Sequence, residues 1–160
     1  MAQLLEGAGA LVVGVANKRS IAWAIARKLD EAGARVALTY QNERTEGEVR
    51  RLAETLSGCA AIVPLDVQSD AQLDEGVDAA AAALPGLDVV VHAVAYARPE
   101  DLGGRFIDTS REGFLTALEI SAYSLAALAR RAEPHMRARG GGSIMTLSYI
   151  AADRAVPGYN

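Results

Sequence analysis

The segment from Gly14 to Ile21 joins a short apolar run to a helix-forming stretch, and its residue types suit contact with a phosphate group. Gly14 would let the chain turn tightly beside the phosphate, and Ser20 would offer a hydroxyl and a free amide at a helix start. The usual three-glycine fingerprint of dinucleotide sites is absent, so an ordinary strand-to-helix turn is the alternative. A nucleoside-triphosphate loop is excluded, because Lys18 is followed by Arg19 and not by Ser or Thr.

Polar residues also follow the next two apolar runs. Gln41 could hydrogen-bond the hydroxyls of a ribose, or it could simply lie at a solvated strand end. An acidic residue normally holds the ribose here and a basic residue accommodates the extra phosphate of NADPH; the neutral Gln41 favours NADH, while Arg44 keeps NADPH as the alternative. Asp66, followed by Val67, could accept a hydrogen bond from an adenine amino group or serve only as a turn residue.

Two tyrosines near the end of the sequence are candidates for acid chemistry. Tyr149 follows the last apolar run, and Tyr159 precedes Asn160. Beyond the carboxyl end of a strand, a tyrosine hydroxyl can donate to a developing oxyanion and act as a general acid. A pair of tyrosines can equally serve packing alone.

The remaining reactive side chains favour structural roles. His92 lies in an apolar run and is expected in or near the core, whereas His135 is expected at the surface near a helix end. Trp23 is predicted to be a core residue, and Cys59 a half-buried small apolar residue that cannot form an internal disulfide. No metal site is predicted, since neither histidine is spaced with cysteines or carboxylates as ligands are.

The elements that must position these residues alternate along the chain. Strands are predicted at 10–13, 35–40, 61–65, 87–94 and 143–148, and helices at 20–32, 43–56, 69–84 and 109–139. Capping boxes are predicted to open the last two helices, at Ser69–Gln72 and Thr109–Glu112, and Pro134 is expected to kink or end the last one. Residues 96–108 are predicted to form a long loop, which is often functional.

The fold class follows from this alternation. The strands are apolar throughout, which predicts that helices cover both faces of a parallel sheet. Strand–helix alternation with right-handed crossovers gives a doubly wound α/β fold, here a single domain over residues 1–160.

Composition excludes several other classes. The formal net charge of −4 provides no basic surface for nucleic acid. No signal peptide is recognised, and no apolar stretch reaches the ~18 residues that a membrane span needs. A single cysteine fits a reducing, cytoplasmic setting.

Together these segments resemble the bacterial enoyl-[acyl-carrier-protein] reductases, a divergent branch of the short-chain dehydrogenase/reductase family with a Rossmann-like fold. The segments that carry the resemblance are 14–22, 39–41, 66–67, 92–97, 147–149, 154–157 and 159–160. The resemblance implies hydride transfer from NADH to a trans-2-enoyl thioester on acyl carrier protein, in fatty acid biosynthesis. It assigns cofactor contacts to Gly14, Ser20, Ile21, Gln41, Asp66, Val67 and Val94, acyl-substrate contact to Ala97, and the active-site tyrosines to Tyr149 and Tyr159.

The sequence departs from the family at its carboxyl end. The family places a lysine after Tyr159 and six intervening residues, followed by a further helix and two strands, and this sequence ends at Asn160. We therefore expect a C-terminally incomplete domain. The alternatives are an NADH-binding fragment with weak or no activity and a carbonyl-reducing short-chain dehydrogenase. The full-length family implies a homo-oligomer, namely a tetramer.

Overall fold

A five-stranded parallel sheet forms the centre of the molecule, with strand order β3-β2-β1-β4-β5. The computed structural model describes residues 4–156. The strands are β1 (Gly9–Val13), β2 (Arg35–Tyr40), β3 (Cys59–Pro64), β4 (Val89–His92) and β5 (Ser143–Thr146). The helices are α1 (Ile21–Glu31), α2 (Glu43–Ala53), α3 (Asp70–Ala83), α4 (Pro99–Leu102), α5 (Arg111–Leu118) and α6 (Ser124–Ala138).

Helices cover both faces of the sheet, as a doubly wound fold requires. On one face, α1 and α2 pack against β1 and β2 through a cluster that contains Val12, Leu38 and Trp23. On the other face, α3 and α6 pack through a second cluster, which contains Leu11 and Leu128. Every residue of β1 is buried, because the strand lies between two neighbours and two helical layers. The predicted fold class and the core position of Trp23 are confirmed.

The prediction that every strand is covered on both faces is wrong for β5. All its residues are exposed, although two of the four are apolar. Both β3 and β5 are edge strands, but α2 and α3 pack against β3, whereas among the described residues β5 packs closely only against β4. Hydropathy cannot show whether a helix will cover a given strand.

The long helix predicted over residues 109–139 is interrupted. A π-helical turn at Glu119–Tyr123, called the π turn below, separates α5 from α6. The cap of α5 is Ser110 and not Thr109, since the Ser110 hydroxyl accepts from the Gly113 amide at 2.9 Å. Pro134 does not end α6, which continues to Ala138.

The predicted loop over residues 96–108 contains short helices. It includes α4 and one turn of 3₁₀ helix at Phe106–Asp108. Asp101 of α4 holds the start of α5, because its carboxylate accepts from the Ser110 amide at 2.8 Å. The segment is therefore tied to the fold, and the predicted long loop is in part helical.

The buried His92 connects three elements. It is 2% exposed, and its ring nitrogens lie 3.1 Å from the Thr146 hydroxyl of β5 and 2.7 Å from the Ser124 hydroxyl of α6. The Ser124 hydroxyl donates its own proton to the Ile120 carbonyl at 2.6 Å, so it must accept from Nε2–H of His92. Nδ1 of His92 then accepts from Thr146. The core position expected for His92 is confirmed, with both ring nitrogens satisfied as neutral imidazole.

This arrangement predicts a pH dependence of stability. Burial lowers the pKa of His92 below its ordinary value of 6.5, so the unfolded chain takes up a proton more readily than the folded chain. The stabilisation is present above pH 6.5 and is lost as the pH falls toward the lower folded pKa. We expect the free energy of unfolding to decrease by at most about 1.4 kcal/mol per pH unit in that window, and the His92→Gln variant to lack this slope.

Urea unfolding at a series of pH values measures the effect. His135→Gln is the control for removing a histidine, since His135 lies at the surface and pairs with Asp78. A slope of wild-type size that persists in His92→Gln would contradict the account.

Candidate functional site

A cleft of about 450 Å³ opens at the carboxyl ends of the central strands. This is the edge at which doubly wound sheets bind ligands. Five of the predicted site residues line the cleft, although they come from distant parts of the chain: Gly14, Gln41, Asp66, Val67 and Val94. The topology brings them together because β1, β2, β3 and β4 all end on the same side of a parallel sheet.

Gly14 lines the cleft where β1 ends. It follows β1 with a φ of +110°, a conformation that favours glycine. A Cβ at this position would lie 2.1 Å from the carbonyl oxygen of Ala93, which follows the neighbouring strand β4. Both the backbone angle and the space therefore require glycine, and the missing side chain leaves backbone facing the cleft.

Gln41 and Asp66 form the polar end of the cleft. The Gln41 side-chain amide lies 3.4 Å from one carboxylate oxygen of Asp66. The other oxygen accepts from the Gln68 amide at 3.0 Å, which makes Asp66 a turn residue in addition to a cleft residue. The carboxylate of Asp66 and the side-chain amide of Gln41 thus line a cleft that is large enough for part of a nucleotide.

The helix that follows supports Asp66 in an unexpected way. Ser69 caps α3 by accepting from the Gln72 amide at 3.3 Å, as predicted. The Gln72 side chain does not complete the capping box, because its oxygen accepts instead from the Asp66 amide at 2.9 Å. Of the predicted capping box, the Ser69 bond is confirmed and the Gln72 side-chain bond is wrong. Gln72 instead holds the backbone of Asp66, a cleft residue.

Ser20 and Ile21 lie at the start of α1 and do not line the cleft. The amide of Ser20, expected to be free, donates to the Asn17 carbonyl at 3.0 Å, and its hydroxyl donates to the same carbonyl at 2.7 Å. The expectation of a free amide is wrong, because the turn from Asn17 to Ser20 occupies both donors of Ser20. Ile21 is 63% exposed.

Of the residues assigned to the substrate and to catalysis, the two that the structure describes are not among those that line the cleft. Ala97 is half-buried and adjoins Tyr96, which lines the cleft. Tyr149 follows β5 at 54% exposure and is not among the lining residues. Tyr159 lies outside the described residues, so the structure does not bear on it.

Sequence reasoning missed several lining residues, namely Thr39, Thr45, Gln68, Tyr96 and Thr116. Thr39 and Gln68 are within two residues of predicted site residues, so their spacing could have indicated them. Thr116 carries no such signal, because α5 reaches the cleft only through the tertiary fold. Among residues 4–156, no cluster of His, Cys, Asp and Glu could hold a metal ion, and no helix is long and apolar enough to cross a membrane.

The constraint at Gly14 predicts a large mutational effect. We expect Gly14→Ala to lower the free energy of unfolding by about 1–3 kcal/mol, because the new Cβ meets the Ala93 carbonyl in a strained conformation. Gly47→Ala is the matched control: Gly47 lies in α2 with open space around it, so its replacement should stabilise by about 0.5–1 kcal/mol. Urea unfolding compares the two. Equal effects would show that Gly14 is not constrained.

Comparison with known proteins supplies the context for this cleft. A family model described as enoyl-(acyl carrier protein) reductase matches residues 14–160. The chain is 46% identical over 159 residues to the NADH-type enoyl-[acyl-carrier-protein] reductase of Bacillus cereus, covering 99% of this chain and 61% of that protein. It is 42% identical to the NADPH-type enzyme of Staphylococcus aureus, covering 98% of this chain and 60% of that protein.

Solved structures agree. The reductase of Anaplasma phagocytophilum in complex with NAD has a TM-score of 0.90 at 45% identity, covering 96% of this chain and 58% of that one. The Bacillus cereus reductase with NADP+ and an indole naphthyridinone has a TM-score of 0.91 at 46% identity, covering 96% and 59%. The chain thus spans about 60% of the length of the curated relatives. By sequence and by fold, it belongs to the enoyl-(acyl carrier protein) reductase family.

Proposed function

We propose that this chain forms the cofactor-binding part of an NADH-dependent enoyl-[acyl-carrier-protein] reductase of fatty acid biosynthesis that works in the cytoplasm. The observation that carries the proposal is the approach of Gly14 to the Ala93 carbonyl beside the Gln41–Asp66 pair. Gly14 leaves backbone without a side chain at one point of the cleft. At another point, Gln41 and Asp66 offer the polar groups that would bind ribose and adenine.

The residues of the cleft fit a nicotinamide dinucleotide. Gly14 would allow the pyrophosphate to approach the backbone, because glycine has no side chain and the neighbouring Ala93 backbone leaves no space for one. Gln41 would bind the adenosine ribose, and Asp66 and Val67 would flank the adenine. Val94 would border the nicotinamide end. Ile21 would offer its backbone amide from the first turn of α1, where the amides of a helix have no intrahelical partner. Ser20 would contact the cofactor only by releasing a bond of its amide or hydroxyl to the Asn17 carbonyl.

When bound, the reduced nicotinamide supplies a hydride to the β-carbon of a trans-2-enoyl thioester. The chain's own contribution is to orient the reactants and to stabilise charge on the thioester oxygen. The Tyr159 hydroxyl would donate a hydrogen bond to that oxygen. Tyr149 would be the second active-site tyrosine, and Ala97 would contact the acyl chain. In this proposal the acyl-carrier-protein thioester is the substrate.

The preference for NADH rests on Gln41. A neutral side chain at the end of β2 binds ribose hydroxyls without a cationic partner for a 2′-phosphate. Among the relatives, the Bacillus cereus enzyme is named for NADH and the Staphylococcus aureus enzyme for NADPH. NADPH is therefore the weaker alternative for this chain.

An NADH-binding fragment without turnover is the second candidate. The observation in its favour is that Tyr149 is half exposed and outside the cleft, whereas the residues assigned to the adenosine end line it. The adenosine end of the site is thus better formed than the reacting end.

We propose a homo-oligomer for the assembled protein. Apolar side chains are exposed on α5 and β5, including Leu115, Leu118 and Ile144. Exposed apolar side chains on a folded domain often mark a protein contact.

Cofactor selectivity should depend on Gln41. We expect wild-type chain to bind NADH more tightly than NADPH, and Gln41→Arg to reverse that order by at least about tenfold in the ratio of dissociation constants, because Arg pairs with the 2′-phosphate. Calorimetric titration with both nucleotides measures the ratio. Gln68→Arg is the control for adding charge at the cleft rim. An unchanged ratio in Gln41→Arg would place the ribose elsewhere.

Turnover should distinguish the candidates. We expect oxidation of NADH by this chain to depend on a trans-2-enoyl thioester and to be absent with a 3-ketoacyl thioester, because the family resemblance implies enoyl chemistry. Loss of the absorbance of NADH follows the reaction. NADH binding without turnover would favour the fragment, and oxidation with the ketoacyl substrate alone would indicate a carbonyl reductase.

A further inference from the structure

Two serines, Ser121 in the π turn and Ser124 at the first position of α6, bind the end of β4 and the segment that follows it. Ser124 contacts His92 at the end of β4. Ser121 contacts the backbone of Tyr96, in the segment that follows β4. The two contacts hold the strand end and its continuation against one helical segment, and π-helical turns are often found at functional sites.

The backbone of the π turn explains how Ser124 comes to be used. Its amide bonds the Glu119 carbonyl, five residues back, in place of the Ile120 carbonyl that an α-helix would offer it. The Ser124 hydroxyl serves that carbonyl instead, at 2.6 Å. One side chain thus compensates the irregular backbone and orients His92.

Ser121 forms a two-point clamp. Its hydroxyl oxygen accepts from the Tyr96 amide at 3.0 Å, and the hydroxyl donates to the Tyr96 carbonyl at 3.1 Å. A single hydroxyl therefore satisfies both backbone polar groups of one residue. The peptide groups on both sides of Tyr96 are fixed in orientation as a result.

Ser121 holds the chain beyond the end of β4, where the hydrogen bonds of the sheet stop. β4 ends at His92, and the Ala93 amide still pairs with the Val13 carbonyl at 3.0 Å. Val94, Ala95 and Tyr96 line the cleft beyond that point, and Tyr96 is 48% exposed. A wall with this much exposure needs another source of order, since few buried contacts hold it.

We propose that Ser121 is a positioning residue that fixes the wall formed by residues 94–97, so that the cleft has its binding shape before a ligand arrives. Ser121 itself does not line the cleft, so its effect passes through the Tyr96 backbone. The effect on NADH binding rests on the proposed function, whereas the effect on the wall does not.

Three variants of the full 160-residue chain test the proposal. Ser121→Ala removes the clamp, and Ser121→Thr keeps the hydroxyl. Thr55→Ala is the matched control, because the Thr55 hydroxyl donates to the Leu52 carbonyl at 2.7 Å at the other edge of the sheet. Melting temperatures identify any general loss of folding.

Amide hydrogen exchange at Tyr96 is the deciding measurement. We expect the exchange rate of the Tyr96 amide to rise by about tenfold in Ser121→Ala, because the loss of one hydrogen bond changes an equilibrium by about that factor. The change should be confined to residues 94–98, absent in Thr55→Ala and reversed in Ser121→Thr. Unchanged exchange at Tyr96, or acceleration spread over the whole chain, would overturn the proposal.

The dissociation constant for NADH is the second readout. We expect it to rise by roughly threefold to tenfold in Ser121→Ala and to return to the wild-type value in Ser121→Thr. Faster exchange with an unchanged constant would overturn the positioning role. If wild-type chain binds no NADH, the proposed function fails, and the exchange measurement alone decides whether Ser121 orders the wall.

Discussion

The close approach of two adjacent strand ends determines the shape of the cleft. β1 and β4 are paired as far as Val13 and His92, and the chain then turns at Gly14 against the Ala93 carbonyl. No side chain fits between them, so bare backbone forms that part of the wall. The other strands contribute their polar ends around this point, and the site is thus a consequence of parallel pairing combined with one obligatory glycine.

Buried polar groups then determine how the wall is held. Among the residues that the structure describes, no buried side-chain polar atom lacks a hydrogen-bond partner. His92 meets this requirement through hydroxyls on β5 and α6, since an unpaired buried group would cost about 1–3 kcal/mol. Ser121 bonds the more exposed backbone of Tyr96, so that hydrogen bonds connect the sheet, the π turn and the cleft wall.

The sequence allowed much of this to be predicted, and the misses have physical causes. Apolar runs and caps located all five strands and predicted the parallel sheet. The exposure of β5 could not be predicted, since the residues of a strand do not show whether a helix packs against it. The roles of Thr116 and Ser121 were not predicted, because a helical pattern does not show which side chain contacts a distant segment of the chain. The π turn was not predicted either, because Ser124 next to it bonds His92 of a distant strand, which local propensity does not indicate.

The central claim is that a nicotinamide dinucleotide binds in the cleft at the carboxyl ends of the strands. Titration of isotope-labelled wild-type chain with NADH, followed through backbone amide chemical shifts, tests it most directly. The account predicts saturable shifts concentrated at Gly14, Gln41, Asp66 and Val94, with little change at the opposite edge of the sheet. Saturable shifts confined to other surfaces, or none at millimolar NADH, would contradict it.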